Sequence, residues 1–122
     1  MSKKHDDMVE KLGEEMGGYI PETLKAMRKH NPAMVEMVAK MDKVLLEDGA
    51  LDRKTKRLIA LACVATRMCE DCVYPQAKVA VNYGATKEEI LETMAVCAVT
   101  GGMPTFSIAK KGLAKIFEEM EE

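Results

Sequence analysis

Apolar residues recur along this chain at intervals of three and four, and no stretch alternates convincingly between apolar and polar residues. The three-to-four spacing places side chains on one face of a helix, whereas alternation would indicate a strand. After Asn31-Pro32, interpreted as an N-cap and a first-turn proline, such a series predicts a buried helix face. Its members are Met34, Met37, Val38, Met41, Val44 and Leu45. The pattern therefore predicts an all-α fold.

Capping and breaking residues divide the chain into about six to seven predicted helices. A first helix is expected from about Asp6 to Met16, where Gly17-Gly18 ends it. The other signals are Pro21 in the first turn of a second helix, Asp52 as an N-cap, Cys69 at the start of a helix that ends near Gly84, Thr86-x-x-Glu89 as a capping box, and Pro104 after the Gly101-Gly102 break. No linker or repeat interrupts this series, so residues 1–122 are expected to form a single domain.

Two predicted helices, around Leu58–Ala65 and Met94–Val99, are apolar on nearly every side. Such a helix is normally buried all round. In a domain of this size, complete burial often requires a neighbouring subunit. We therefore expect a homo-oligomer.

Composition narrows the class of protein. Hydrophobic residues make up 48% of the chain, enough for a real core, and the net charge is only −2. Basic and acidic residues are mixed without a basic stripe, so nucleic-acid binding is not expected. The longest apolar run, Leu58–Ala65, is too short to cross a membrane. The polar N-terminal stretch shows no secretory signal, so we expect a soluble, cytoplasmic protein.

The candidate chemistry lies at Cys69-Glu70-Asp71-Cys72. Cysteines of a cytosolic protein are normally reduced, and a Cys-x-x-Cys pair there indicates redox or metal chemistry. Two cysteines three residues apart at a helix start lie on one face and can form a disulfide. The helix dipole favours their thiolates, whereas Glu70 and Asp71 oppose a further negative charge. The sequence does not decide which effect is larger.

Two other interpretations of the pair stay open. The cysteines could be inert apolar residues, or they could hold a metal, including one shared between subunits. Structural zinc usually needs four ligands, and no second paired motif exists, so no metal and no cofactor are predicted. Cys63 and Cys97 stand alone in apolar helices and are expected to be core residues, while His5 and His30 lie far upstream.

Residues Leu51 to Lys111 resemble the carboxymuconolactone decarboxylase-like family, specifically its alkyl hydroperoxidase D-like (AhpD-like) branch. The matching elements are Leu51-Asp52-x-Lys54-Thr55-Lys56, Leu58-Ile59-Ala60-Leu61-Ala62, Cys69-x-x-Cys72, Asn82-Tyr83-Gly84-Ala85-Thr86-x-Glu88-Glu89-Ile90 and the Gly101-Gly102 break. The resemblance implies an AhpD-like helical bundle that assembles as trimers or hexamers. It also implies thiol-based disulfide reductase or peroxidase activity, with Cys72 as the attacking thiol and Cys69 as the resolving thiol.

Two residues depart from the family pattern. Gln76 stands where the motif Cys-x-x-Cys-x-x-x-His has its histidine, and Arg57 replaces the glutamate of a Lys-Glu-Leu triplet. Both proton-relay groups of the resembled site are therefore missing. Either the site is degenerate, or the cation of Arg57 stabilises the Cys72 thiolate in place of a base. Arg57 could equally be a surface residue, and Tyr74 and Gln76 could shape the pocket by hydrogen bonding.

The function predicted from these residues is thiol–disulfide oxidoreduction, with Cys69 and Cys72 cycling between dithiol and disulfide. Electrons would come from a small thiol or a redox carrier protein, and peroxide detoxification is one version of this activity. The alternative is a scaffold that has lost the chemistry or binds a metal. A carboxymuconolactone-type decarboxylase ranks last, because the acid–base residues are absent from the matched positions.

Overall fold

The computed structural model describes residues 3–122 and is all-helical over that range, which confirms the predicted fold class. Met1 and Ser2 lie outside the described residues. They belong to the polar N-terminal stretch from which we predicted that there is no secretory signal. The described chain contains eight helices and no strand. Among these helices, none is long and apolar enough to cross a lipid bilayer. The chain divides into two compact units, one ending at Ala50 and one running from Leu51 to Glu122.

The first unit contains four helices. They are α1 (Lys3–Glu15), α2 (Glu22–His30), α3 (Ala33–Met41) and α4 (Lys43–Leu46). Gly17 and Gly18 follow α1 with φ of 78° and 92°, a left-handed conformation that ends the helix where the glycine pair predicted it. The helix count exceeds the prediction partly because the segment expected to continue to Leu45 is interrupted at Asp42, after which α4 forms a single turn.

The predicted buried face of α3 is wrong. Met34, Met37, Met41 and Val44 are exposed, with 69% of the surface of Met41 accessible. The side chains that are buried instead are Val35 in α3 and Leu46 in α4. Helix α3 is apolar on several faces, so its periodicity is consistent with either of two stripes of apolar side chains being buried. The stripe that carries the larger methionines is the exposed one. Asn31 also provides no side-chain cap, because the N-cap of α3 is Pro32.

The second unit contains the other four helices. They are α5 (Arg53–Thr66), α6 (Glu70–Asn82), α7 (Lys87–Gly101) and α8 (Pro104–Met120). Asp52 caps α5, its Oδ1 accepting from the Thr55 amide at 2.7 Å. Thr86 and Glu89 form the predicted capping box of α7. Gly84, with φ of 100°, follows α6. These predicted boundaries are confirmed.

The core of the second unit brings all four helices together. Its buried members are Leu61, Ala65, Val73, Ala77, Ala80, Ala85, Ile90, Met94, Cys97, Ala109, Leu113 and Ile116. Helix α8 approaches α6 so closely that only glycine fits at position 112. A Cβ built there would lie 2.9 Å from both the Tyr74 amide nitrogen and Val73 Cγ1. This contact fixes the first turns of α6, where the cysteine pair lies.

The two helices that are apolar on nearly every side, α5 and α7, are buried only on the faces that point into the core. Cys97 is buried as predicted, but Cys63, also expected in the core, is exposed. On the outer face of α7, Val99 is 85% exposed, and Val96 is exposed beside it. Cys63 was misassigned because nearly every residue around it in α5 is apolar, which hides the direction of the core. Assembly into a homo-oligomer stays a prediction.

Candidate functional site

Cys69 and Cys72 are joined by a disulfide, with their Cα atoms 5.3 Å apart. The chain leaves α5 through Met68, whose φ of 64° is left-handed and reverses the backbone direction. Cys69 then occupies the N-cap position of α6, and the Cys72 amide donates to its carbonyl at 3.1 Å. Both cysteines are half-buried. The spacing predicted from sequence therefore produces a pair that can open and close with little movement of the backbone.

The acidic residues between the cysteines point to solvent. Glu70 and Asp71 are exposed, and Lys111 of α8 lies 3.7 Å from Glu70. Exposed charges are screened by water and salt, and the Lys111 ammonium offsets part of the negative charge. These two carboxylates were expected to disfavour a thiolate at this end of the helix. That electrostatic effect is therefore reduced.

Arg57 is buried, with only 3% of its surface accessible, so its interpretation as a surface residue is wrong. Its Nη1 donates to Gln76 Oε1 at 3.1 Å. Helix α5 positions the arginine and α6 positions the glutamine, one helical turn after Cys72. The two residues that depart from the resembled pattern thus contact each other directly.

A tyrosine and a second arginine adjoin this pair. The Arg57 guanidinium lies 5.8 Å from the centre of the Tyr83 ring, and that of Arg53 lies 4.3 Å from it. Distances below about 6 Å are favourable for a cation over an aromatic face. The sequence analysis missed Tyr83 as a neighbour of the site, although it lies in the Asn82-Tyr83-Gly84 stretch of the resemblance. Tyr83 follows Gln76 by seven residues, a spacing that puts both on one side of α6. That spacing could have identified Tyr83 as a neighbour from the sequence.

Tyr74 makes its described contacts with α8. Its hydroxyl lies 2.8 and 2.7 Å from the two carboxylate oxygens of Glu119, and the Lys115 ammonium lies 4.0 Å from the centre of its ring. The hydrogen bond from Tyr74, followed by the ammonium of Lys78 at 3.4 Å, lowers the pKa of the Glu119 carboxyl. Residues 74 and 76 point about 200° apart on a helix. Gln76 thus contacts Arg57 of α5, whereas the contacts of Tyr74 given above lie on α8.

The remaining cysteines do not extend the site. Cys97 Sγ lies 3.9 Å from the Ala62 carbonyl oxygen, and burial raises the pKa of its thiol. Within residues 3–122, no three His, Cys, Asp or Glu side chains are grouped closely enough to hold a metal ion. This holds for one copy of the chain, and the interpretation in which a metal is shared between subunits stays a hypothesis.

Comparison with known proteins gives consistent matches. The model of the carboxymuconolactone decarboxylase family matches residues 32–115. A Methanocaldococcus jannaschii protein named uncharacterized protein MJ1511 is 36% identical over 102 residues, which are 83% of this chain and 95% of that protein. Uncharacterized protein 4 in cox locus of Paracoccus denitrificans is 38% identical over 78 residues, 64% of this chain and 70% of that protein.

A solved structure extends the similarity to the fold. The crystal structure of apo-lpg0406, a carboxymuconolactone decarboxylase family protein from Legionella pneumophila, superposes with a TM-score of 0.70 and 30% sequence identity. The match covers 99% of this chain and 100% of that one. The helices that carry Cys69, Cys72, Arg57 and Gln76 all fall within residues 32–115.

Proposed function

The chain belongs to the carboxymuconolactone decarboxylase family, and on that premise we propose that it is a thiol–disulfide oxidoreductase of the AhpD-like branch. Cys69 and Cys72 are the reacting groups and cycle between dithiol and disulfide. The observation that carries the proposal is the position of this pair at the start of α6, half-buried and close enough to be bridged. We place the protein in the cytoplasm, where small thiols or a redox carrier protein would supply electrons.

The reaction is ordinary thiol–disulfide exchange. The Cys72 thiolate attacks one sulfur of a substrate disulfide, forming a mixed disulfide and releasing the first substrate thiolate. The Cys69 thiolate then attacks Cys72 Sγ, which closes the enzyme disulfide and releases the second substrate thiolate. The two protons lost by the cysteines end on the two product thiols, through solvent. A dithiol reductant afterwards returns the enzyme to its reduced form by the same exchange in reverse.

Disulfide reduction suits this site better than peroxide reduction. Cleavage of a peroxide forms a sulfenic acid on Cys72 and releases an alkoxide or hydroxide, which requires a proton donor for the leaving oxygen. The two positions that hold proton-relay groups in the resembled site are occupied by a neutral amide, Gln76, and by a guanidinium, Arg57, that stays protonated. A thiolate leaving group needs no such donor, because it is stable near neutral pH. Peroxide detoxification is therefore the secondary form of the proposed activity.

A redox titration combined with mass-spectrometric mapping tests this proposal. We expect wild type to form a Cys69–Cys72 bridge with a potential of ~−120 to −270 mV, the range of known oxidoreductases. Cys69→Ser should accumulate a mixed disulfide on Cys72, and Cys72→Ser should form none. Cys63→Ser is the control, since it removes an exposed thiol that is not part of the disulfide. A pair that never oxidises at physiological thiol ratios, or purified protein that contains zinc, would contradict the proposal.

We also propose that the chain forms a homo-oligomer, in line with the trimers or hexamers that the resemblance implies. The support is the outer face of α7, where Val96 and Val99 are exposed with Ala95 beside them. Large apolar side chains grouped on one helix face are typical of surfaces that bind another protein. A second copy of the chain is the proposed partner.

A further inference from the structure

Two cysteines outside the disulfide lie on neighbouring helices, Cys63 on α5 and Cys97 on α7. The Sγ atom of Cys97 lies 3.9 Å from the carbonyl oxygen of Ala62, the residue that precedes Cys63. In a planar trans peptide, a carbonyl oxygen lies about 2.8 Å from the Cα of the following residue. The sulfur of Cys97 is therefore no more than about 6.7 Å from the Cα of Cys63.

Small side chains bring α5 and α7 together at this point. Gly101 follows Cys97 by one turn of α7, and a Cβ built on it would lie 3.2 Å from Thr66 Cγ2. Thr66 in turn follows Ala62 by one turn of α5, so the two helices are in contact over two successive turns. The distance between packed helices depends on the side chains at their contact, so these small residues allow a close approach. Cys63 lies within this stretch of α5.

The two thiols differ in exposure and influence each other electrostatically. Cys63 is exposed, whereas only 3% of the surface of Cys97 is accessible. Burial is the largest cause of the raised pKa of the Cys97 thiol; a hydrogen bond from Thr66 opposes it, and a negative charge on Cys63 raises this pKa further. Such an effect acts over a few ångströms, because water and salt screen charges that are farther apart. The coupling agrees with the short distance derived from the Ala62 contact.

We propose that Cys63 and Cys97 form a second redox pair, which a small-molecule disulfide oxidises to a bridge between α5 and α7. The exposed Cys63 reacts first, and the buried Cys97 resolves the product. This pair is distinct from Cys69 and Cys72, and the proposal does not depend on their activity. A bridge between residues 63 and 97 would enclose all of α6 and would tie together the two ends of the segment that carries the first pair.

The reaction consists of two exchange steps. The Cys63 thiolate attacks one sulfur of the small disulfide, which forms a mixed disulfide on Cys63 and releases one small thiolate. The Cys97 thiolate then attacks Cys63 Sγ, which closes the bridge and releases the second small thiolate. The two cysteine sulfurs give up two electrons, and these reduce one small disulfide to two thiols. The two cysteine protons pass through solvent to those thiols.

The order of the steps follows from exposure and charge. A dissolved disulfide reaches the exposed Cys63, whereas the surrounding helices exclude it from Cys97. Once Cys63 carries the adduct, it has no negative charge, so its contribution to the raised pKa of Cys97 disappears. The thiolate needed for the second step therefore forms more readily after the first step than before it.

Tryptic peptides separate the two pairs and so test the proposal directly. Cys63 falls in residues 58–67, Cys97 in residues 88–110, and Cys69 and Cys72 together in residues 68–78. Reduced wild type is treated with 2-hydroxyethyl disulfide, its free thiols are blocked with N-ethylmaleimide, and the digest is mapped by mass spectrometry. We expect residues 58–67 to be linked to residues 88–110. The linked protein should run as a monomer on a non-reducing denaturing gel, and dithiothreitol should remove the link.

Single variants test the order of the steps. Cys97→Ser should stop at the mixed disulfide, so residues 58–67 should carry one 2-mercaptoethanol group. Cys97→Ala should give the same adduct, which keeps the test valid if a serine hydroxyl destabilises the buried position. Cys63→Ser should leave Cys97 as a free thiol, because the oxidant does not reach it. Circular dichroism of each variant checks that the helices are retained.

A variant without the first pair, Cys69→Ser/Cys72→Ser, shows whether the second pair acts by itself. The link should form in it as in wild type. Its thermal unfolding midpoint should rise by about 5 °C or more on oxidation, because the bridge restricts the unfolded chain. Residues 68–78 report on Cys69 and Cys72 in the same wild-type digest, so failure of the proposed oxidoreductase is seen separately from failure of the second pair.

Three results would overturn the proposal. Wild type that keeps the mixed disulfide on Cys63 while Cys97 stays free would mean that the two sulfurs do not meet. A link found only in a band of dimer mass would mean that Cys63 pairs with another copy of the chain. An unchanged unfolding midpoint in the linked Cys69→Ser/Cys72→Ser variant would mean that the link forms only after the chain has unfolded.

Discussion

Substituting Gly112 by alanine tests how tightly α8 packs against the helix that carries the cysteines. The added Cβ would lie 2.9 Å from the Tyr74 amide nitrogen, 2.9 Å from Val73 Cγ1 and 3.1 Å from Val73 Cβ. Ordinary van der Waals contacts of this kind begin at 3.4 Å, so the two helices would have to separate by several tenths of an ångström. Val73 is fully buried, and a backbone nitrogen cannot rotate aside.

Two opposing effects set the expected size of the change. Alanine favours a helix interior over glycine by about 1 kcal/mol, which would stabilise α8. Overpacking a well-packed core typically costs about 1–3 kcal/mol. Because the obstructing atoms are backbone and a buried β-branched side chain, we expect the clash to prevail. With a clash cost in the upper part of that range, about 2–3 kcal/mol, less the gain of about 1 kcal/mol, the free energy of unfolding should fall by about 1–2 kcal/mol.

Urea denaturation followed by circular dichroism measures this loss, provided that the slope m is the same for variant and wild type. Gly101→Ala is a suitable control, since the three atoms nearest to its Cβ would be side-chain atoms of Thr66 and Thr105, at 3.2 to 3.4 Å. Those side chains can yield by a few tenths of an ångström, so its effect should be smaller. A Gly112→Ala protein as stable as wild type would refute the close approach of α6 and α8.

Two further predictions concern the polar cluster on α8 and the outer face of α7. Tyr74→Phe removes the hydrogen bond that contributes most to lowering the pKa of Glu119 below its ordinary value of 4.5. A lowered carboxyl pKa stabilises the fold above the unfolded-state pKa and loses that effect as pH falls through the folded-state value. The variant should therefore be less stable than wild type at neutral pH, and the difference should shrink below about pH 4.5 in acid-unfolding curves. The rate of Cys72 alkylation in this variant should match that of wild type. A slower rate would mean that Tyr74 contributes to the cysteine site. Val99→Asp places a charge on the proposed subunit interface and should yield monomers in sedimentation velocity, while Lys110→Asp, at an exposed position of α8, should leave the oligomer intact. A wild-type protein that sediments as a monomer would contradict the proposed assembly.

The features that the sequence determined are those whose interactions lie within one turn of helix. The Asp52 cap, the Thr86-Glu89 capping box and the left-handed Gly84 each involve groups no more than a few residues apart. Their geometry follows from chain connectivity, so residue type and spacing are sufficient. The Cys69-Cys72 pair is predictable for the same reason, because a three-residue spacing on a helix brings the two sulfurs together.

The features that only the tertiary structure decided involve a choice between faces or partners. Sequence could not tell that α3 buries Val35 and exposes its methionines, or that Cys97 is buried while Cys63 is exposed, because these helices are apolar on several sides. A helical period gives the spacing of a buried stripe but not the direction of its neighbours when two stripes are equally apolar.

The candidate site shows the same division. Its thiols could be found from their spacing, and Arg57 and Gln76 could be found as departures from a resembled pattern. Their contact could not, since they are nineteen residues apart on two helices and meet only when α5 packs on α6. Packing also directed Tyr74 to Glu119 on α8. The sequence by itself determined where the thiols lie, and the tertiary structure decided which side chains accompany them, because contacts between helices depend on packing rather than on spacing along the chain.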